Sequence, residues 1–216
     1  MKTVLVTGFE PFGGERVNPS ALAAQALHGR EIAKRRVIGV VLPCVFGKSQ
    51  ATLRREIQRL RPELIICTGQ DGGRAEIAVE SISLNIMDAN IPDNDGNRPI
   101  AQPVVRTGPA AYWSTLPVKA IADALRTADL PVKVSYSAGT FVCNYVFYGL
   151  MRTLARSQAG RGGFIHVPYL PEQARRANNG SPSMPLKKII QGLEIIIETS
   201  LKFQTQQDFR ATGAFN

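Results

Sequence analysis

Nucleophilic attack on a carbonyl needs a nucleophile, a base and a group that orients the base, and three residues far apart in this chain have those types. The thiol is Cys143, in SYSAGTFVCNYVFYGL, after a short strand pattern, an SAG turn and Thr140. If Thr140 caps a helix, Cys143 falls near the third helical position, where unpaired N–H groups and the helix dipole favour a thiolate. The same cysteine also heads a stripe with Phe147, Leu150 and Leu154, and as part of that stripe it would be a core thiol instead. Cys67, inside LIIC, and Cys44, directly after Pro43, read as packing residues.

The chain has two histidines. His28 precedes Gly29 at a helix end, a place where an imidazole meets terminal carbonyls. That leaves His166 in GFIHVPYLP, near the end of a short strand and before a proline, as the base a thiol would require; a core histidine is the other reading. Glu80 shares the even phase of Ala78, Ile82, Leu84 and Ile86. A carboxylate on an inward face needs a partner, and an imidazole would be one; a bulge that shifts the phase would instead leave Glu80 in water.

Other chemistries lack their motifs. GFEPFGGE carries Gly14 and Glu15 where a phosphate-binding loop needs Lys and Ser or Thr. In FGKS, Leu42 takes the place of the leading glycine, and no GxGxxG, GxSxG, CxxC or HExxH occurs. No metal or cofactor is therefore expected. Three cysteines and no export signal point to reduced thiols in the cytoplasm, and no apolar run reaches membrane-spanning length. The net charge is +9, with basic runs KRR (34–36), RREIQRLR (54–61) and ARR (174–176). Leu53, Ile57 and Leu60 keep helical spacing inside the second run, so its arginines form the solvated back of a helix. No aromatics interleave with these runs, so no nucleic-acid partner is expected.

The elements that must position the three residues alternate along the whole chain. Strands are expected at 3–8, 37–43, 63–69, 131–137 and 163–167, and helices at 18–29, 48–60, 117–128, from the Cys143 turn onward, and 185–201. Asn18, Pro19 and Gly29 supply the first helix with its cap, first turn and stop. Residues 76–88 alternate like a strand or hairpin arm, 90–111 form a long loop, and the tail from 204 is polar and flexible. With no linker or repeat, residues 1–216 read as a single three-layer α/β/α domain around a mixed, mostly parallel sheet.

On VLVTGFEPFGGERVNPS, LPCVFGKS, NIMDANIPDNDGNRP, GPAAYWSTLP, SAGTFVCNYVFYGL, GGFIHVPYLPEQ and SPSMPL, the chain closely resembles the pyroglutamyl peptidase I family of cysteine peptidases. The resemblance implies an α/β sandwich that removes N-terminal pyroglutamate from peptides, without a cofactor and commonly as a homotetramer. It implies Cys143 as nucleophile, His166 as general acid/base and Glu80 as the carboxylate that orients it. Phe9, Phe12 and Phe141 would line the ring site, with Asn18 and the Gln70 backbone nearby; the same phenylalanines could seal the core, and Asn18 could be a helix cap. A thiolate attack would give a thioester, with the Cys143 N–H on the oxyanion. The family usually has arginines where this chain has Ser81 and Asn90, and one missing oxyanion donor costs on the order of a hundredfold in rate. A basic binding module that has lost the reaction, or a cysteine hydrolase of another lactam or amide, are the competing readings.

Overall fold

The computed structural model describes residues 2–157, 160–177 and 180–203. Its strands are β1 (Thr3–Phe9), β2 (Glu31–Ile32), β3 (Arg35–Leu42), β4 (Leu64–Gln70), β5 (Ile77–Glu80), β6 (Ile82–Leu84), β7 (Ala111–Trp113), β8 (Val132–Ser135) and β9 (Arg161–Val167). Its helices are α1 (Pro19–Leu27), α2 (Lys48–Leu60), α3 (Val118–Thr127), α4 (Val142–Ser157), α5 (Pro171–Ala177) and α6 (Leu186–Lys202). Seven strands form one sheet in the order β2-β3-β1-β4-β9-β5-β8, and β6 pairs with β7 in a small second sheet. Strands β3, β1, β4 and β9 are parallel; β5 runs against β9, and β8 follows β5.

Alternation along the strands separates two apolar layers. Val4, Val6, Leu64, Ile66, Ile165 and Val167 point to one face, which α1, α3 and α6 cover. Leu5, Ile65, Cys67 and Phe164 point to the other, against α2 and α4. This is the expected three-layer sandwich, with a mixed and mostly parallel sheet. Each fully buried Leu, Ile or Val contributes about 1.5–3 kcal/mol to its stability. Close approach of α1 requires glycine beneath it: a Cβ on Gly8 would strike the Ser20 carbonyl, and one on Gly39 the Ala24 carbonyl. Asn18 caps α1 by accepting from Ser20 N at 3.0 Å.

Three features differ from the expectations. Residues 76–88 are not one strand: β5 ends at Glu80 and β6 begins at Ile82 in another sheet, because Ser81 turns the chain while its N–H donates to Ser135 O. Thr140 does not cap α4. Its hydroxyl donates to Asp88 O at 2.7 Å, and the helix begins at Val142, so Cys143 is its second residue. The short helix α5 escaped the periodicity, being only seven residues long. The tail from 204 lies outside the described residues.

Cys44 and Cys67 are packed in the core, and burial pushes each thiol up to about 12. The unfolded chain ionises them near 8.5, so above about pH 8.5 it holds fewer protons than the native protein and stability falls as pH rises. Each thiol steepens that fall by about 1.4 kcal/mol per pH unit until its folded value is reached. Urea melts at pH 8, 9 and 10 are therefore expected to show a shallower decline for Cys67→Ala than for the wild type. Identical slopes would remove buried thiol ionisation as the cause.

Candidate active site

Strand register brings the histidine and the carboxylate together. In the antiparallel β5–β9 pair, Ala78 lies opposite His166 and Glu80 opposite Phe164. Directly paired residues share a face, and Phe164 and His166, two apart on β9, share it as well. All four therefore face α4. Glu80 sits one pleat row deeper than His166, and the two meet diagonally: His166 Nδ1 donates to Glu80 Oε1 at 2.9 Å. The Glu80 side chain is fully buried and that of His166 is 6% exposed. An ionised carboxylate only accepts hydrogen bonds, so Nδ1 carries the hydrogen and the lone pair is left on Nε2. The Phe164 ring, 4.9 Å from the imidazole centroid to centroid, restrains its plane. The second oxygen, Glu80 Oε2, is buried without a hydrogen-bond partner among the described residues.

The thiol reaches the same place from the helix layer. On β4, Gly69 is the register partner of His166. A Cβ built on Gly69 would stand 2.7 Å from Cys143 Sγ and 2.9 Å from the Phe164 ring. The Cys143 sulfur thus occupies the space that the missing side chain leaves, beside the strand that carries His166. Because β8 runs against β9, residues 136–141 must carry the chain back before α4 can begin. Two sets of hydrogen bonds fix that return. Thr140 is bonded to Asp88 through its hydroxyl and its carbonyl. Asn144, fully buried, accepts from Leu84 N and donates to Leu84 O and Ile86 O, each at 2.9 Å. As the second helical residue, Cys143 has a backbone N–H with no acceptor inside the helix, and this N–H can serve an oxyanion.

The surroundings of the thiol oppose its ionisation, against the expectation of a stabilised thiolate. Burial pushes the Cys143 thiol well above its ordinary value, and the nearby Asp71 and Glu80 carboxylates push the same way. Cys143 is only half-buried as a residue, and desolvation is the largest of the causes that raise it. A thiol held neutral reacts only by giving up its proton, and the lone pair on the neighbouring imidazole is the acceptor at hand.

Several aromatic rings share the apolar cluster of Cys143. Phe9 is buried against Phe164, centroids 6.4 Å apart. Phe12 and Phe141 pair at 5.8 Å, and Phe46 meets Phe141 edge-on at 5.5 Å. Asp93 holds Phe46 in place by accepting from its N–H at 2.9 Å; burial opposes the Asp93 charge, but Asn97 and three backbone N–H bonds keep its carboxyl below the ordinary value. Asn18 spends Oδ1 on Ser20 and one amide hydrogen on Glu10 O, which leaves a single donor free among the described residues. Gln70, at the end of β4, accepts through Oε1 from Gln173 Nε2 at 2.8 Å. Ser81 is buried next to Glu80, whereas Asn90 is exposed.

Gly69, Phe46, Asn144, Asp93 and Gln173 were not singled out from the sequence. The signal for Asn144 was its place beside Cys143 on a buried helix, where an amide must find partners; Phe164 could have been read from its spacing of two before His166. The requirement at Gly69 has no signal in a single sequence.

A thiol, an imidazole and a buried carboxylate on one face of an α/β sheet compose a hydrolase site of the cysteine type. Comparison with known proteins gives the family. A sequence profile described as pyroglutamyl peptidase matches residues 2–203, and the chain belongs to that family. It is 52% identical to a pyrrolidone-carboxylate peptidase of Bacillus cytotoxicus over 99% of this chain and 98% of the relative. It is 54% identical to pyrrolidone-carboxylate peptidase 2 of Photorhabdus laumondii over 93% and 92%. The crystal structure of Bacillus amyloliquefaciens pyroglutamyl peptidase I superposes with a TM-score of 0.91 at 44% identity, covering 95% of this chain and 99% of that one. The pyrrolidone carboxyl peptidase of Thermococcus litoralis gives 0.91 at 40%, with 94% of each chain covered.

A methyl group at position 69 would compete with the thiol for its space. Gly69→Ala is expected to lower kcat/KM by on the order of a hundredfold, the cost of displacing a reacting atom by about 1 Å, and to slow alkylation of Cys143. Unchanged turnover with unchanged alkylation would show that the sulfur does not depend on this glycine.

Proposed function

We propose that this protein is a cysteine exopeptidase that removes N-terminal pyroglutamate from peptides, with Cys143 as nucleophile, His166 as general acid/base and Glu80 as the orienting carboxylate. The observation that carries the reading is the 2.9 Å contact between His166 and Glu80 on the sheet face against which the Cys143 sulfur packs. His166 Nε2 takes the thiol proton as sulfur attacks the pyroglutamyl carbonyl. The oxyanion is received by the Cys143 N–H at the helix start, and the imidazolium, stabilised by Glu80, gives its proton to the leaving amine. The thioester that remains is cleaved by water, with His166 again taking the proton.

The substrate ring is a flat, uncharged lactam, so its site needs an apolar slot and hydrogen bonds to one amide rather than an acid to hold an ammonium group. Phe9, Phe12 and Phe141 would supply the slot. The remaining Asn18 amide hydrogen and the Gln70 backbone would supply the polar contacts. The reading extends to a homo-oligomer, a tetramer by family resemblance, in the cytoplasm; three unpaired thiols suit a reducing compartment.

Hydrolysis of a fluorogenic pyroglutamyl amide is expected, with no turnover of its prolyl counterpart. Cys143→Ser should abolish it. Glu80→Gln, which keeps the shape but favours the wrong imidazole tautomer, should lower kcat by on the order of a thousandfold or more with little change in KM. Undiminished turnover by either variant would overturn the assignment.

A further inference from the structure

The fold leaves one feature that the peptidase reading does not use: a basic cavity at the far end of α4. The cavity, of about 340 Å3, lies between α2 and α4, and three arginines are among its lining residues: Arg54 from α2, and Arg152 and Arg156 from α4. Gln50, Gly149 and Thr153 are among the remaining lining residues, and none of the lining residues is acidic. The two helices are drawn close at this point because Gly149 has no side chain; a Cβ there would collide with Gln50, whose amide donates to Tyr145 O at 2.6 Å. None of the three arginines forms an ion pair with a described carboxylate, although Arg55 and Arg59 on the same helix α2 both bond Glu56. One of them has a local reason: Arg156 lies in the last turn of α4, where a cation suits the exposed carbonyls. That reason covers neither Arg152, one turn earlier, nor Arg54, which approaches from the facing helix. Like charges converging on a concave surface are unfavourable unless an anion joins them.

We propose that this cavity binds a small, multiply charged phosphate-type anion that bridges α2 and α4. Guanidinium forks match phosphate oxygens in pairs of hydrogen bonds, and three of them outweigh a single carboxylate. The site is distinct from the thiol, since Arg152 stands nine residues from Cys143, about 14 Å along the helix. The cavity holds no aromatic ring on which a base could stack, so the ligand is a compact phosphate rather than a nucleic acid.

Pyrophosphate, with inorganic phosphate as the second probe and sodium chloride at matched ionic strength as the reference, tests this by thermal melting and calorimetric titration. Wild-type protein is expected to bind one pyrophosphate per chain and to melt at a higher temperature in its presence. Arg152→Gln/Arg156→Gln is expected to weaken binding by on the order of tenfold or more. Unliganded at low salt, that variant should melt at or above the wild type, because repulsion is relieved; a purely structural role for these arginines would lower it. Arg36→Gln/Lys133→Gln removes the same charge outside the cavity and should bind as the wild type does. No shift beyond chloride, equal binding by the cavity variant, equal loss in the control, or retention of a single-stranded RNA without pyrophosphate binding would each overturn the proposal.

Discussion

Burial of the Glu80 carboxylate is the constraint on which the rest of the site depends. A charge taken out of water must be met by a partner, and the partner here is one imidazole nitrogen, reached diagonally across the β5–β9 pair. Sheet register alone sets that geometry: a slip of one residue would turn Glu80 to the opposite face, toward α3 and α6. The contact selects the tautomer of His166 and aims its free lone pair at the helix layer. Its second oxygen is buried without a hydrogen-bond partner among the described residues. Among the described residues its hydrogen-bond partner is His166 alone, and that contact would strengthen if the imidazole took up the thiol proton as proposed.

The helix layer has to meet the sheet at one point, and the sequence spends polar residues to make it do so. Asn144 and Thr140 tie the start of α4 to residues 84–88, in a part of the chain 52 to 60 residues away. Gly69 then leaves the gap that the sulfur fills. The cost of this fit is desolvation of the thiol, which raises its proton affinity. On the proposed reading the thiol is the resting form, and proton transfer to His166 would accompany attack.

Much of this was legible in the sequence because it is local. Helix and strand periods marked the main elements, and Asn18, Pro19 and Gly29 marked the ends of α1. The three chemical residues stood out by type, by elimination among two histidines, and by family resemblance. What could not be read depends on pairing. Nothing local shows that β5 and β8 run against β9, so the depth of Glu80 below His166 was hidden. The phase argument for Glu80 ran through Ile82 to Ile86, although β6 belongs to another sheet. Thr140 has the composition of a helix cap but bonds to Asp88, a partner far away in sequence. The expected low proton affinity of Cys143 counted the helix terminus and missed the burial, which only the packed structure contains.

The central claim, that the Cys143 sulfur is acylated with help from the Glu80–His166 pair, is tested most directly by trapping the intermediate. Protein mixed with a pyroglutamyl ester, quenched in acid within milliseconds and examined by intact and peptide mass spectrometry should carry one pyroglutamyl group, on Cys143. The adduct should form far more slowly in Glu80→Gln. An adduct on Cys44 or Cys67, or turnover of the ester with no acylated protein at any quench time, would contradict the account.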